Sequence, residues 1–231
     1  MESLIQDLKL SMRMFLQNRA FTVAAVGALA LGIGANTAIF SVVNAILLKP
    51  IPFPDPDRLV MFVNTSPRGS GPAASPAKFQ HWKSQTSVVR DVAAFRNGIV
   101  NYTGGEFPEQ LRSAQVSGDY FRLFGAPILS GRTFSRDEDL PHSEKVVVLS
   151  HGFWSRRFGS DPGIIGRTIS LSGDPYTAIG ILASSFDVGE FGPPPDVWVP
   201  FQLDPNSTDQ GHYFRVAGLL GRALKSHTFT L

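Results

Sequence analysis

From Phe21 to Leu48 the chain runs for twenty-eight residues without a charge, and the run ends at Lys49-Pro50. An α-helix rises about 1.5 Å per residue, so roughly 20 residues are enough to cross the hydrocarbon core of a bilayer. This run has length to spare. Soluble folds rarely bury an uncharged helix of that length, and the sequence predicts a transmembrane helix over 21–48. The lipid bilayer is then the first expected partner, and the question becomes what the anchor carries.

A cleavable secretory signal joins a short basic start to about 7–15 apolar residues and a small-residue cleavage site. Here the apolar run is far longer, and Val43-Asn44-Ala45 is a poor imitation of such a site. A retained helix is the expectation. Ahead of it, residues 1–20 read as an amphipathic segment, with Leu4, Ile5, Leu8, Met12, Phe15 and Leu16 on one helical face. Such a segment either lies in the membrane interface or forms the first turns of one continuous helix. Orientation is a near tie by charge: Lys9, Arg13 and Arg19 precede the span, while Lys49, Arg58 and Arg68 follow it.

The span also carries two lines of small residues. Ala24, Ala28, Gly32 and Asn36 recur every four positions, and Gly27, Gly34 and Ser41 every seven. Small residues let helix backbones approach closely, which matters in lipid, where apolar side chains gain little by leaving lipid for protein. Asn36 and Asn44 are polar groups that favour a partner helix or a wet interface over hydrocarbon. The chain has no second run of this kind, so partner helices are expected from other chains or segments.

Several chemistries are excluded or left without support. Acidic and basic residues balance beyond the first 49 positions, which leaves no basic stripe for nucleic acid. Cysteine is absent, so disulfides, thiolate metal sites and cysteine nucleophiles are excluded. No G-x-x-x-x-G-K-[ST] loop is present, and Lys never follows Gly. The five histidines (His81, His142, His151, His212 and His227) form no H-E-x-x-H pattern, and no G-x-S-x-G elbow is visible. Asp137-Glu138-Asp139 reads as a solvated turn rather than a cation site. The sequons at Asn64, Asn101 and Asn206 are too short a pattern to carry an argument. The residues give no catalytic, cofactor-binding or metal site, and the chain reads as no enzyme.

Beyond the span, Pro50, Pro52, Pro54 and Pro56 end the helix, because proline lacks the amide hydrogen that a helix interior needs. Arg58–Val63 reads as a strand and 66–76 as a loop. Ser75-Pro76 reads as a capped helix start, with Phe79 and Trp82 at helical spacing. Ile99–Thr103 and Phe107–Ser117 flank Gly104-Gly105 as a hairpin. Asp119–Phe124 is a short helix closed by Gly125, Val146–Leu149 a strand, and Phe153–Phe158 a helix stopped by Gly159. Arg167–Leu171 and Tyr176–Leu182 form a second hairpin, and Val197–Val199 and Phe214–Leu220 are the last strands. Hairpins mixed with short helices predict an α+β domain.

Two segments carry a resemblance. One is L-A-L-G-I-G-A-N-T-A-I-F-S-V-V-N-A-I-L-L-K-P-I-P-F, from Leu29 to Phe53. The other starts at S-G-D-Y-F-R-L-F-G (Ser117–Gly125) and S-G-R-T-F (Ser130–Phe134). It continues through V-V-V-L-S-H-G-F-W-S-R-R-F-G-S-D-P-G-I-I-G-R-T-I-S-L-S-G-D-P-Y-T-A-I-G-I-L (Val146–Leu182) to P-D-V-W-V-P-F (Pro195–Phe201). In order and spacing these resemble the N-terminal part of an ABC-transporter permease of the MacB/FtsX type, closest to the acidobacterial duplicated orphan permease group. The resemblance implies an α+β fold: one N-terminal transmembrane helix, then an extracytoplasmic MacB-like periplasmic core domain over 50–231. It also implies a cytoplasmic N-terminus, a bacterial inner-membrane location, a separate ABC ATPase subunit as partner, and a dimer held partly by transmembrane helices. Mapped onto this sequence, the membrane-packing residues are Gly27, Gly32, Gly34, Asn36 and Asn44. Asp119, Tyr120, Phe121, Gly131, Arg132, Trp154, Phe158, Gly159 and Gly166 match family motifs read as fold-forming.

The departure comes after Arg215-Val216, where the family continues into a charged R-L-K-P-G turn and an acidic helix. Here the chain reads G-L-L-G-R-A-L-K-S-H-T-F-T-L from Gly218, and the expectation is a core domain truncated at its C-terminus. A single-span protein whose outer domain binds a ligand, lipid or envelope protein is the alternative reading. A secreted hydrolase is a third, disfavoured by the long span and the missing nucleophile motifs.

Overall fold

A computed structural model describes residues 17–43, 53–67, 69–85, 88–105, 107–186 and 192–221. The chain divides into two compact units, Met1–Ile51 and Pro52–Leu231. The amphipathic reading of the N-terminal segment, Asn44, the last turn of the expected span, and the final residues lie outside the described residues.

The first unit contributes α1 (Arg19–Val43). Arg19–Ser41 is long and apolar enough to cross a membrane by length and composition. Its large side chains, among them Phe21, Leu31 and Ile39, are exposed. Its hydroxyls are satisfied within the helix: Thr37 Oγ1 donates to the Ile33 carbonyl at 2.8 Å and Ser41 Oγ to that of Thr37 at 2.7 Å. Hydroxyls bonded back one turn present no bare polar group to hydrocarbon.

The second unit is built on one ten-stranded mixed sheet. Its strands are β1 (Leu59–Met61), β4 (Ala73–Ala74), β5 (Val89–Tyr102), β6 (Glu109–Val116), β7 (Ile128–Gly131), β8 (Val146–Leu149), β9 (Thr168–Leu171), β10 (Asp174–Leu182), β11 (Val197–Pro200) and β12 (Phe214–Leu220). The order runs β1-β12-β5-β6-β11-β8-β10-β7, with β4 on β12 and β9 joining β10 to β5. The β6–β11 and β8–β10 ladders are parallel and the others antiparallel. A separate hairpin pairs β2 (Asn64–Ser66) with β3 (Gly69–Gly71). Helices α2 (Pro76–Ser84), α3 (Tyr120–Leu123) and α4 (His151–Phe158) complete the set.

Successive side chains of a strand point to opposite faces, and the core follows that rule. Val146 and Val148 of β8 join Ala93, Phe95, Val116 and Trp198 on one face, under the aromatic residues of α3. Val147 and Leu149 join Leu111, Ile181, Val197 and Val199 on the other, under Phe153 of α4. Ala94 and Val216 also face away from the first cluster, and Phe79 of α2 covers them. All four residues of β8 are buried, as a strand covered on both sides must be.

Capping explains where α2 and α4 begin. Ser75 Oγ accepts the Lys78 amide at 3.3 Å, and Ser150 Oγ accepts that of Phe153 at 3.0 Å. The sequence places β8 and β12 at their observed bounds, while the loop expected over 66–76 holds β3 and β4. The expected strand over 58–63 is confined to Leu59–Met61. The start of β1 lies beside the end of β12: Leu59 faces Leu219, and the Gly221 amide donates to the Val88 carbonyl at 3.0 Å.

Candidate functional site

On α1, an ideal Cβ placed on Gly27, Gly32 or Gly34 would meet nothing within 4 Å. These glycines leave hollows in a surface otherwise studded with large apolar groups, and Asn36 is exposed on the same helix. The arrangement suits close approach of another helix backbone.

In the second unit, the motif residues fall into two groups on opposite faces of the sheet. Tyr120 and Phe121 lie in the aromatic cluster of α3, where the Tyr120 ring is 4.7 Å from Phe124 and 5.7 Å from Phe95. Burial pushes the Tyr120 hydroxyl well above its usual pKa, so it stays neutral. Phe53, the first described residue after the gap that follows α1, packs on Phe124 at 5.0 Å. Asp119 precedes α3 without capping it; its carboxylate accepts from Arg122 at 2.9 Å instead.

Gly131 and Arg132 close the same face. Gly131 has φ +75°, and a Cβ there would run into the Ile179 carbonyl oxygen of β10. Gly131 stands opposite Gly180, so two glycines let these strands meet without side chains between them. Arg132 then makes a bidentate pair with Glu138, both N···O distances being 2.7 Å. The Ser135 amide donates to the same carboxylate at 2.7 Å. With the guanidinium as the leading cause, the Glu138 pKa falls to about 2.

The next residue corrects the expectation of a solvated acidic turn. Asp139 turns inward, accepting the Gly118 amide at 2.8 Å and the Gln202 amide at 3.2 Å. Burial raises its pKa. Gln202, at φ +52°, donates its side-chain amide to the carbonyls of Glu138 and Ser143 at 3.1 and 3.2 Å. Glu138, Asp139 and Gln202 are the organising residues that sequence reasoning misses. Their partners lie up to 64 residues away, and three consecutive acids carry no local signal of burial.

The second group surrounds α4. Trp154 Nε1 donates to the Asp161 carbonyl at 2.8 Å, and Phe158 meets Phe153 and Tyr102 edge-on at 5.5 and 6.0 Å. Gly159 ends the helix at φ +59°, and Gly166, at φ +85°, donates its amide to the Ala178 carbonyl at 2.8 Å. None of these groups forms a nucleophile–base pair. Among the described residues, no three His, Asp or Glu side chains gather as a metal site.

A scan against protein families matches residues 22–223 to the MacB-like periplasmic core domain. The chain belongs to this family. The match begins inside α1 and runs through the β12 strand, so it takes in helix and sheet together. Among curated relatives of this MacB-like core, the macrolide export ATP-binding/permease protein MacB of Hahella chejuensis is 26% identical over 182 residues, covering 77% of this chain and 26% of the relative. A probable export ATP-binding/permease protein of Pseudomonas fluorescens is 30% identical over 107 residues, covering 46% of this chain and 16% of the relative. The chain thus spans about a quarter or less of these relatives.

Solved structures share the fold. The periplasmic region of MacB from Actinobacillus actinomycetemcomitans superposes with a TM-score of 0.55 at 16% identity, covering 73% of this chain and 76% of that one. The extracellular domain of the noncanonic ABC-type transporter YknZ from Gram-positive bacteria gives 0.54 at 17% identity, covering 71% and 84%. In the MacB-like core of this chain, the motif residues occupy a strand contact, an ion pair, a helix stop and aromatic packing.

Proposed function

We propose that this chain forms the N-terminal part of an ABC-transporter permease of the MacB type. In this reading α1 crosses the inner membrane with the N-terminus cytoplasmic, and residues 50–231 form the extracytoplasmic core. The chain hydrolyses no nucleotide; a separate ATPase docks on the cytoplasmic side and drives motion of the spans, which the outer domain receives for export or for mechanical signalling across the envelope. Gly27, Gly32, Gly34, Asn36 and Asn44 serve contact between membrane helices, including those of a dimer partner. The motif residues from Asp119 to Gly166 hold the core rather than a substrate.

One observation carries this reading: a single family match runs without a break from the apolar helix into the sheet domain. The names of the relatives, which join ATP-binding and permease, supply the partner class.

The absence of cysteine makes the topology directly testable. Asn206→Cys places a thiol in the sheet domain, and Asn18→Cys places one just before α1. With a membrane-impermeant maleimide, Asn206→Cys is expected to label in intact spheroplasts and Asn18→Cys only after permeabilisation. The reverse pattern overturns the orientation and, with it, the permease reading.

A further inference from the structure

One cleft of the sheet domain has a charge balance that the fold leaves open. Its walls carry Lys83 of α2, Arg90 and Asp91 of β5, Asp119 and Arg122 at α3, and Arg136, around a cavity of about 290 Å³. Both carboxylates are already engaged. Arg122 Nη2 lies 2.5 Å from Asp91 Oδ1 and 2.9 Å from Asp119 Oδ1, and Lys83 Nζ lies 3.9 Å from Asp119 Oδ2. Arg90 and Arg136 line the same space, are exposed, and have no ion-pair partner among the described residues. Four cations against two carboxylates on the walls, with the Asp139 carboxylate near enough to act on Lys83 and Asp119, leave the cleft net positive.

The backbone is shaped to put those groups there. The register of β5 against β12 shifts so that Ala93 faces Ala217 while Arg90 faces Leu219, which inserts one extra residue into β5. Asp91 sits in this bulge at φ +50°, a conformation that non-glycine residues adopt at a cost. A bulge re-aims neighbouring side chains, and bulges are over-represented beside functional sites. Here it brings Arg90 and Asp91 to the cleft wall. The Asp91 carboxylate in turn fixes Arg122 across from them.

We propose that this cleft binds a phosphate group. Guanidinium forks match oxyanions, and three of them with an ammonium present more N–H donors than the two oxygens of a carboxylate can accept. A phosphate monoester offers three terminal oxygens and up to two charges, which a net positive cleft can meet. Two sources share this chemistry: a soluble phosphate monoester and the terminal phosphate of a lipid such as phosphatidic acid. The site does not depend on the topology proposed above, because the soluble arm of the test is read without a membrane.

The full chain in neutral detergent is titrated with inorganic phosphate and with glycerol 3-phosphate by calorimetry. In parallel, its thermal midpoint is followed in micelles doped with phosphatidic acid or with phosphatidylcholine. Binding of the soluble probes, or a midpoint raised by phosphatidic acid and not by phosphatidylcholine, is the expected result; which arm responds identifies the source. Arg90→Ala/Arg136→Ala should need about tenfold more ligand. Lys145→Ala/Arg167→Ala, with the same loss of charge elsewhere, should bind as the wild type does. If the double alanine variant does not fold, Arg90→Lys/Arg136→Lys keeps the charge, removes the forks and should still bind measurably more weakly. No response to any probe, equal weakening in the control, or wild-type binding by the folded cleft variants overturns the site.

Discussion

Gly131 shows how little room the core leaves at single positions. Its positive φ and the Ile179 carbonyl beside it mean that Gly131→Ala must both strain the backbone and separate β7 from β10. We expect a loss of about 2 kcal/mol or more in chemical denaturation, against a few tenths for the same change at the open Gly71. Glu138 and Asp139 make a second residue-scale prediction, with opposite signs. The Glu138 pKa falls from 4.5 to about 2 in the folded chain, so its stabilising effect is complete above about pH 4.5 and fades as pH drops towards 2. Arg132→Ala should therefore lower the melting temperature most at neutral pH, and the gap to wild type should close through that acid window. Asp139 behaves inversely: burial raises its folded pKa, so ionisation costs stability as pH rises through that value, while the two hydrogen bonds it accepts remain. Its two oxygens each accept a backbone amide, and an amide side chain has one acceptor. Asp139→Asn should cost about 1–3 kcal/mol in a denaturant melt at neutral pH.

At the scale of elements, the strongest local signals lie where the chain makes its own decisions. Ser150 and Gly159 bracket α4 by a side-chain cap and a left-handed stop; the glycine stop is legible in the letters, whereas the expected start at Phe153 falls two residues beyond the observed one at His151. Ser150→Ala should cost about 1 kcal/mol, measured by thermal or urea unfolding. The four apolar residues of β8 are equally plain, because burial on both faces demands unbroken hydrophobicity, and β12 is nearly as plain, interrupted by the exposed Arg215. Other elements are set by distant partners. The first half of β5 holds Arg90, Asp91 and two consecutive alanines, a composition that says strand only once β12 lies beside it. β7 is an exposed edge strand with Ile128 and Leu129 half out of the core, and nothing in Ile-Leu-Ser-Gly marks its pairing with β10. The β2–β3 hairpin hides in a stretch of glycine, proline and serine that reads as loop. Of the motif residues, aromatic packing and helix stops could be inferred from type and spacing. The inward turn of Asp139 could not, because its partners at Gly118 and Gln202 are remote in sequence.

For the whole molecule, the open hollows of α1 carry the association prediction. Gly34→Leu fills one of them, and in a membrane reporter assay it should reduce helix association several-fold; unchanged association would place that face against lipid. The sheet domain adds a mechanical consequence through its neighbouring ends. β1 and β12 are antiparallel and adjacent, with Leu59 opposite Leu219 and Met61 opposite Ala217, so the start of one lies beside the end of the other. A pull that separates these ends would load their hydrogen bonds one at a time, as a zipper is opened, whereas displacement of both ends together leaves the ladder unloaded. The two strand ends would thus part readily when drawn away from each other and travel as one body when moved in common.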